Sequence, residues 1–467
     1  MSGLDELTRE ELIALVLRLH ETVEAQKQRI AEMEAIVQRQ AERIVELEEE
    51  VARLRGGKSS APLWVRPSVQ KKEKAPRKKR KKSFARKNLP PTRVIYYALD
   101  ECPKCGRKLA GESVKWRHQV MELPQVKVEV TDHLFVERRC GVCKKRWTPD
   151  PEVALAGVVV GKKRMGIGLM SLISHLKTVC RVPIDQVQGL LATLYGLRIS
   201  AGEIAEILHD VAELGESEYE SLLSRIRGSP VVHGDETGWR EDGANGYLWS
   251  FSTPEVRYYL YRKSRAGAIV TEVLADEFAG TLVSDFLGSY NIYDGPKQRC
   301  WVHLIRDLKE LREKNSEMAD VSSWVDSVMG VYHRANDTRE KQLSERERIR
   351  LRRGFEDELG RLCKPCLKVK NAPQRVLAER MEWFMGELFT FVEYPEAPSE
   401  NNAAERAIRP AVVARKISGG TRSARGSNTA SVLRSLFETW ALQGCNTIDA
   451  CREMITLAAT ATPAPVR

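Results

Sequence analysis

The chain has 467 residues, 42% of them hydrophobic and 30% charged, with a net charge of +11. That length allows about three domains with real cores. No apolar run approaches the ~18 residues that span a bilayer, so no membrane-spanning helix is expected. The opening "MSGLDELTREEL" lacks a basic segment followed by an apolar core, so no signal peptide is expected and a cytoplasmic location is. Reduced thiols are then the rule, and the ten cysteines point to metal ligands and buried thiols rather than disulfides.

Residues 8–55 repeat with period seven. Val16, Val23, Ile30, Val37, Ile44 and Val51 share one heptad position; Leu12, Leu19, Met33, Leu47 and Leu54 fall on the position three residues later, interrupted by Gln26 and Gln40. β-Branched a positions with leucine at d favour a parallel two-stranded coiled coil, so a homodimer is expected. Thr8 and Glu11 make a capping box at its start, and Gly56-Gly57 ends it. Residues 56–93 form a linker whose core, "KKEKAPRKKRKKSFARK", carries eleven Lys/Arg against one Glu. Nearly all of the net charge therefore sits in this run. Lys78, Lys79, Arg80, Lys81 and Lys82 are suited to phosphate backbones without sequence preference.

Residues 94–150 hold two Cys-x-x-Cys pairs, Cys102 with Cys105 and Cys140 with Cys143, separated by 34 residues. Two such turns complete a tetrahedral structural Zn²⁺ site, and the alternating "VEVTDHLFVERR" between them reads as a strand of a zinc ribbon. A third pair, Cys363 and Cys366, stands alone in helical sequence and reads as chance spacing. Residues 151–228 are helical. "VPIDQVQGLLATLYGLRISAGEIAEIL" places two amphipathic segments around Gly196 and Ser200, a pattern shared by DNA-reading helix pairs and by ordinary packed helices.

From 229 short strands alternate with helices, which indicates an α/β domain over 229–450. "PVVHGDE" and "GTLVSDF" are strands ending in acid, "GYLWSF" and "VRYYLY" a hairpin, and "QRCWV" a short strand entering a helix. Cys300 and His303 make a Cys-x-x-His pair, whose plainer reading is a core thiol on a strand and a helix cap. Residues of about 315–395 form a charged helical insertion, and 451–467 a C-terminal helix and tail. Asp235 and Asp285 are thereby placed at strand ends, on the rim of the sheet. Glu405, in "PSENNAAERAIRP", opens a polar helix. It can close a capping box with Asn402, pair with Arg409 four residues on, or join the two aspartates as a metal ligand. Three carboxylates are a hard-oxygen set suited to Mg²⁺ or Mn²⁺.

The stretches "DETGWR" at 235–240, "SDFLGSY" at 284–290, "CWVHLIRDL" at 300–308 and "ENNAAERAIRP" at 400–410 carry a resemblance to transposases of the insertion-sequence-66 family. The resemblance extends over nearly the whole chain. It differs at Phe286, where the family often has glycine, and at "RKISGG", where it often has Arg-Lys-Asn-Trp. The resemblance implies a ribonuclease-H-like catalytic domain within a multidomain α+β chain, with Asp235, Asp285 and Glu405 as an Asp-Asp-Glu triad. It implies cleavage at the ends of a mobile element and transfer of the 3′-hydroxyls to target double-stranded DNA. Small accessory proteins of the same element and a bacterial or archaeal nucleoid setting belong to the same expectation. Asn401 then lies one turn from Glu405 on the same face, with Arg406, Arg409 and Arg422 offered to the DNA backbone. A dimeric DNA-binding relic or regulator without catalysis is the alternative.

Overall fold

A computed structural model describes residues 89–461, apart from 112, 124, 125 and 162, together with scattered helical positions between 9 and 40. The rest of the expected coiled coil and the basic run with Lys78–Lys82 lie outside the described residues. The chain divides into two units, residues 1–121 and 122–467, each taken by itself below.

In the first unit, the described residues between 89 and 121 are mostly exposed, with an isolated bridge of Glu101 to Lys108 and a two-way bond between Leu89 and the Gln119 amide. In the second unit, β1 (Arg138–Arg139) pairs with β2 (Arg146–Trp147), on either side of Cys140 and Cys143. The longer strand expected from "VEVTDHLFVERR" does not form. Its residues up to Glu137 find no neighbouring strand, and alternation alone makes no ladder.

Helices Ile184–Tyr195 and Ala201–Leu214 are separated by Gly196, in the left-handed conformation at φ 67°, and Ser200, whose hydroxyl accepts from Glu203 N. Their apolar faces, with helices Ile167–Thr178 and Glu216–Arg227, join one core with a face of the sheet.

That sheet has five strands in the order β5-β4-β3-β6-β7. β3 (Val231–Glu241), β4 (Ala244–Ser252) and β5 (Arg257–Arg262) form an antiparallel meander, while β6 (Thr281–Ser284) and β7 (Lys297–Arg299) run parallel to β3. β3 does not end at Asp235 as the sequence suggested. It continues to Glu241 because Asp242-Gly243, with φ of 49° and 78°, makes the two-residue hairpin that turns the chain into β4. Asp235 is therefore mid-strand, opposite Ser250.

The two faces of β3 have different fates. Val232 and Phe251 face the helical core, whereas Trp239, Leu248, Tyr259 and Tyr261 pack on Ala411 and Ala414 of helix Asn402–Ser418. Between β7 and this helix the chain is mostly helical. Helices Ala319–Asn336, Glu345–Lys368 and Arg375–Trp383 enclose their own core with helix Trp301–Lys314. Cys363 is buried in that core. Helix Ala424–Leu442 then crosses the sheet and buries side chains on nearly all sides. Between Ser418 and this helix lies a short connection, residues 419–423. It is pinned, since Thr421 N donates to Arg240 O and Asp242 N to Thr421 O, both at 2.8 Å. No described helix is long and apolar enough to cross a membrane.

Candidate active site

Asp235 lies on the face of β3 that helix Asn402–Ser418 covers, and Asp285 directly follows the neighbouring parallel strand β6. Each carboxylate is locally aimed. Asp235 Oδ1 accepts from Glu236 N, and Asp285 Oδ1 accepts from Leu287 N, both at 2.9 Å.

Glu405 sits in the first turn of its helix, and the local geometry disposes of its two bland roles. The helix is capped by Asn401, Asn402 is already helical, and no side-chain capping bond forms, so the capping box is absent. Among the described residues the ion pair of Glu405 is not with Arg409. Its Oε1 lies 3.7 Å from Nε2 of His303, on the facing helix.

Asn401 fixes this helix to the sheet. It is 2% exposed, and its side chain does not cap the helix but turns to β3. Nδ2 donates to Gly234 O at 2.8 Å, which leaves Oδ1 to accept from His233 Nδ1 at 3.0 Å. Its backbone N–H donates to the buried thiol of Cys300 at 3.1 Å. Glu405 is thus held one helical turn from an anchor bonded to the residues just before Asp235. Further along, Arg415 Nη1 donates to Thr237 Oγ1 and Gly238 O at 3.1 and 2.7 Å, and Tyr259 OH donates to Ala407 O at 2.5 Å. The helix cannot slide along β3 without breaking all of these.

The electrostatics are those of crowded acids. Burial pushes the Asp235 carboxyl up to about 7, with Glu236 and then Asp285 and Glu405 adding to the rise against the bond from Glu236 N. Burial also raises Glu236 itself, opposed by its bonds from Arg265 and from Tyr290 OH (2.9 Å). Glu236 projects from the opposite face of β3 and is already satisfied, so it is not free for the site. Burial brings His233 down to about 4, so it is a neutral bonding partner for Asn401. The three site carboxylates are not gathered into a ready-made cage: among the described residues no three His, Cys, Asp or Glu side chains converge closely enough to hold a metal.

A family model described as Transposase IS66 family matches residues 162–429, more than half of the chain. The chain belongs to this family. No curated protein matches it. Membership makes this a DNA-processing, DNA-binding protein in general terms, as the sequence resemblance implied. The matched stretch contains the helices from Ile167 to Arg227, the whole five-stranded sheet, the helices between β7 and Asn402 and all three acids.

Cys300 is the cap of helix Trp301–Lys314, and burial raises its thiol. His303 does not cap that helix but faces Glu405. Arg406, Arg409 and Arg422 are exposed, free to meet a phosphate backbone.

The two cysteine knuckles form the same turn in their separate units. Cys102 N donates to Arg107 O, and Cys140 N to Lys145 O, both at 2.8 Å. Gly106 and Lys144, each four residues beyond the first cysteine, both take left-handed φ values, 69° and 60°. Backbone amides of Lys104 and then Cys105 hold the Cys102 thiol below its usual range. Those of Cys143 and then Val142 do the same for Cys140. Amides aimed at a sulfur favour the thiolate, the form that binds metal.

His233, which holds Asn401, and Arg299, which holds the turn after Asp285, support the site and carry no motif of their own. Their signal is a polar residue inside an apolar strand, in "VVHGDE" and "QRCWV".

Proposed function

We propose that the chain is a DNA transposase of an insertion sequence that binds the element's ends, cleaves strands there and joins the resulting 3′-hydroxyls to target DNA. One observation carries the reading. Asp235 on the central strand, Asp285 after its parallel neighbour and Glu405 on a helix pinned to that strand are near enough for Asp285 and Glu405 to raise the proton affinity of Asp235. The strand order, an antiparallel meander extended by two parallel strands, supports a ribonuclease-H-like catalytic domain.

The donor set is all carboxylate, and its mutual repulsion is what a divalent cation would relieve. Asp235, Asp285 and Glu405 would hold Mg²⁺ or Mn²⁺. Such ions, when bound, supply activation of an attacking hydroxyl and charge relief at the leaving oxygen. The protein's own share is positional. Asn401 and Arg415 fix Glu405 against β3, the Asp285–Leu287 turn aims the second acid, and His303 meets Glu405 from the facing helix. Arg406 and Arg409, on the solvent side of the same helix, and Arg422 beyond it would contact the DNA backbone.

Two further elements of the proposal rest on the sequence and on local turn geometry. The cysteines 102, 105, 140 and 143 would hold one structural zinc, and residues 8–55 would dimerise the protein.

A transposition assay tests the function. A marker flanked by the element's own ends is supplied with wild-type protein or Glu405→Gln. Movement with wild type and none with the variant, at equal end binding, is the expected result. Equal movement with both would remove Glu405 from the chemistry.

A further inference from the structure

Arg299, at the end of β7, is fully buried, yet every part of its guanidinium is engaged. Nη1 donates to Ser284 Oγ at 3.2 Å, Asp285 O at 2.8 Å and Leu287 O at 3.3 Å. Nη2 donates to Asn291 Oδ1 at 2.6 Å. These four acceptors span the turn from 284 to 291, inside which Leu287 N aims the Asp285 carboxylate. Nε points the other way and donates to Glu387 Oε2 at 2.6 Å. Glu387 belongs to the helical insertion, on the short helix Met385–Leu388, and Lys297 Nζ approaches its other oxygen at 3.5 Å.

The rest of the seam repeats this connection. Phe286, directly after Asp285, packs edge-on against Phe384 of the insertion at 5.3 Å, and Arg299 lies over the same Phe384 ring at 4.8 Å. Leu388 O accepts from Trp301 Nε1 at 2.6 Å, and Gln298 Oε1 accepts from Phe391 N at 2.9 Å. The turn that presents the second acid is therefore braced from below by one buried cation. That cation takes its counter-charge from the insertion, some hundred residues later in the sequence.

We propose that Arg299 and Glu387 are positioning residues through which the helical insertion sets the geometry of Asp285, and with it the divalent-metal affinity of the site. The proposal rests on the metal-site reading given above. Arg299 is suited to the task because a guanidinium presents five donors in a fixed fork. A lysine keeps the charge but cannot serve Glu387 and the 284–291 turn together. The insertion is then part of the catalytic apparatus, and a partner or DNA segment that moved helix Met385–Leu388 would be felt at Asp285.

The test uses the full-length protein and Mn²⁺, with binding read by electron paramagnetic resonance of the free ion and folding by circular dichroism. Asp285→Asn is the control and is expected to lose Mn²⁺. Arg299→Lys and Glu387→Ala are expected to bind about 10- to 100-fold more weakly while folded, as for other residues that orient metal ligands indirectly. Glu387→Gln, which keeps an acceptor for Nε, should recover part of that loss. Strand cleavage by Arg299→Lys should return at high Mn²⁺, so that the apparent metal constant rises while the maximal rate is nearly kept. If Arg299→Lys fails to fold, Asn291→Ala removes only the exposed end of the clamp and should show a smaller shift in the same direction. Folded Arg299→Lys, Glu387→Ala or Asn291→Ala with wild-type Mn²⁺ affinity, beside an Asp285→Asn that has lost it, overturns the positioning role alone. Wild-type Mn²⁺ binding by Asp285→Asn overturns the metal-site reading and this proposal with it.

Discussion

Replacing Asn401 with alanine separates an ordinary helix cap from an anchor of the active site. An Asn-to-Ala change at a helix N-cap costs typically about 1 kcal/mol, through loss of a bond to the first-turn amides. Here that bond does not exist, because the side chain is turned to β3. The substitution instead strands two buried groups, Gly234 O and the Nδ1–H of His233. A buried polar group left without a partner costs about 1–3 kcal/mol, so stranding two of them should cost Asn401→Ala about 2–6 kcal/mol. The backbone N–H to Cys300 Sγ survives the change and does not enter this figure. The assay is urea unfolding followed by the fluorescence of the sheet's tryptophans, with the loss taken from the shift in midpoint at constant slope. Because the same bonds hold Glu405 against β3, strand cleavage should fall together with stability. Asn401→Ala within about 1 kcal/mol of wild type and fully active would refute the anchor and restore the cap.

Other consequences follow from titration and from the knuckles. The Asp235 carboxyl, near 7 when folded and near 4 when unfolded, keeps its proton in the folded state alone between those values. Without divalent cations, stability should therefore fall as pH rises from 4 to 7, by up to about 4 kcal/mol, and Asp235→Asn should abolish that fall in the melting temperature. His233 has the opposite sign, since its proton affinity is lowered on folding to about 4. Its contribution is complete above about pH 6.5 and lost as pH drops toward 4, so Asp235→Asn should show acid destabilisation over that window. Removing either cysteine pair, Cys102 with Cys105 or Cys140 with Cys143, should eliminate all bound zinc measured by elemental analysis. Half-retained zinc would mean that the two knuckles act separately.

The elements that declared themselves in the sequence are those whose signal is local. Gly196 and Ser200 stop and start helices by backbone conformation and a side-chain cap, and both do so where the sequence indicates. The apolar runs ending in Asp235 and Asp285 are strands, and the charged stretch after Lys314 is the helical insertion. What the sequence obscured depends on partners distant in the chain. β3 outruns Asp235 because β4 is there to pair with it, whereas "VEVTDHLFVERR" has the alternation of a strand but no neighbour. The same holds at the site. Asp285 and Glu405 stand at a strand end and a helix start that the sequence marks, and Asp235 closes an apolar run although its strand continues past it. The groups that hold them in place are not marked: Asn401 meets Gly234 across 167 residues, and Arg299 meets Glu387 across 88. Neither pairing leaves a mark on spacing. Phe286 stands where the family often has glycine, and its ring packs against the insertion.

The most direct measurement is made on purified protein with Mg²⁺ and a duplex carrying the element's own end. Wild type is compared with Asp235→Asn, Asp285→Asn and Glu405→Gln, and end binding, strand cleavage and joining of the 3′-hydroxyl are each followed. A single three-carboxylate centre predicts that all three variants bind the end as wild type does and that none cleaves or joins. Cleavage and joining at the wild-type rate by any one of them would take that residue out of the centre and contradict the account.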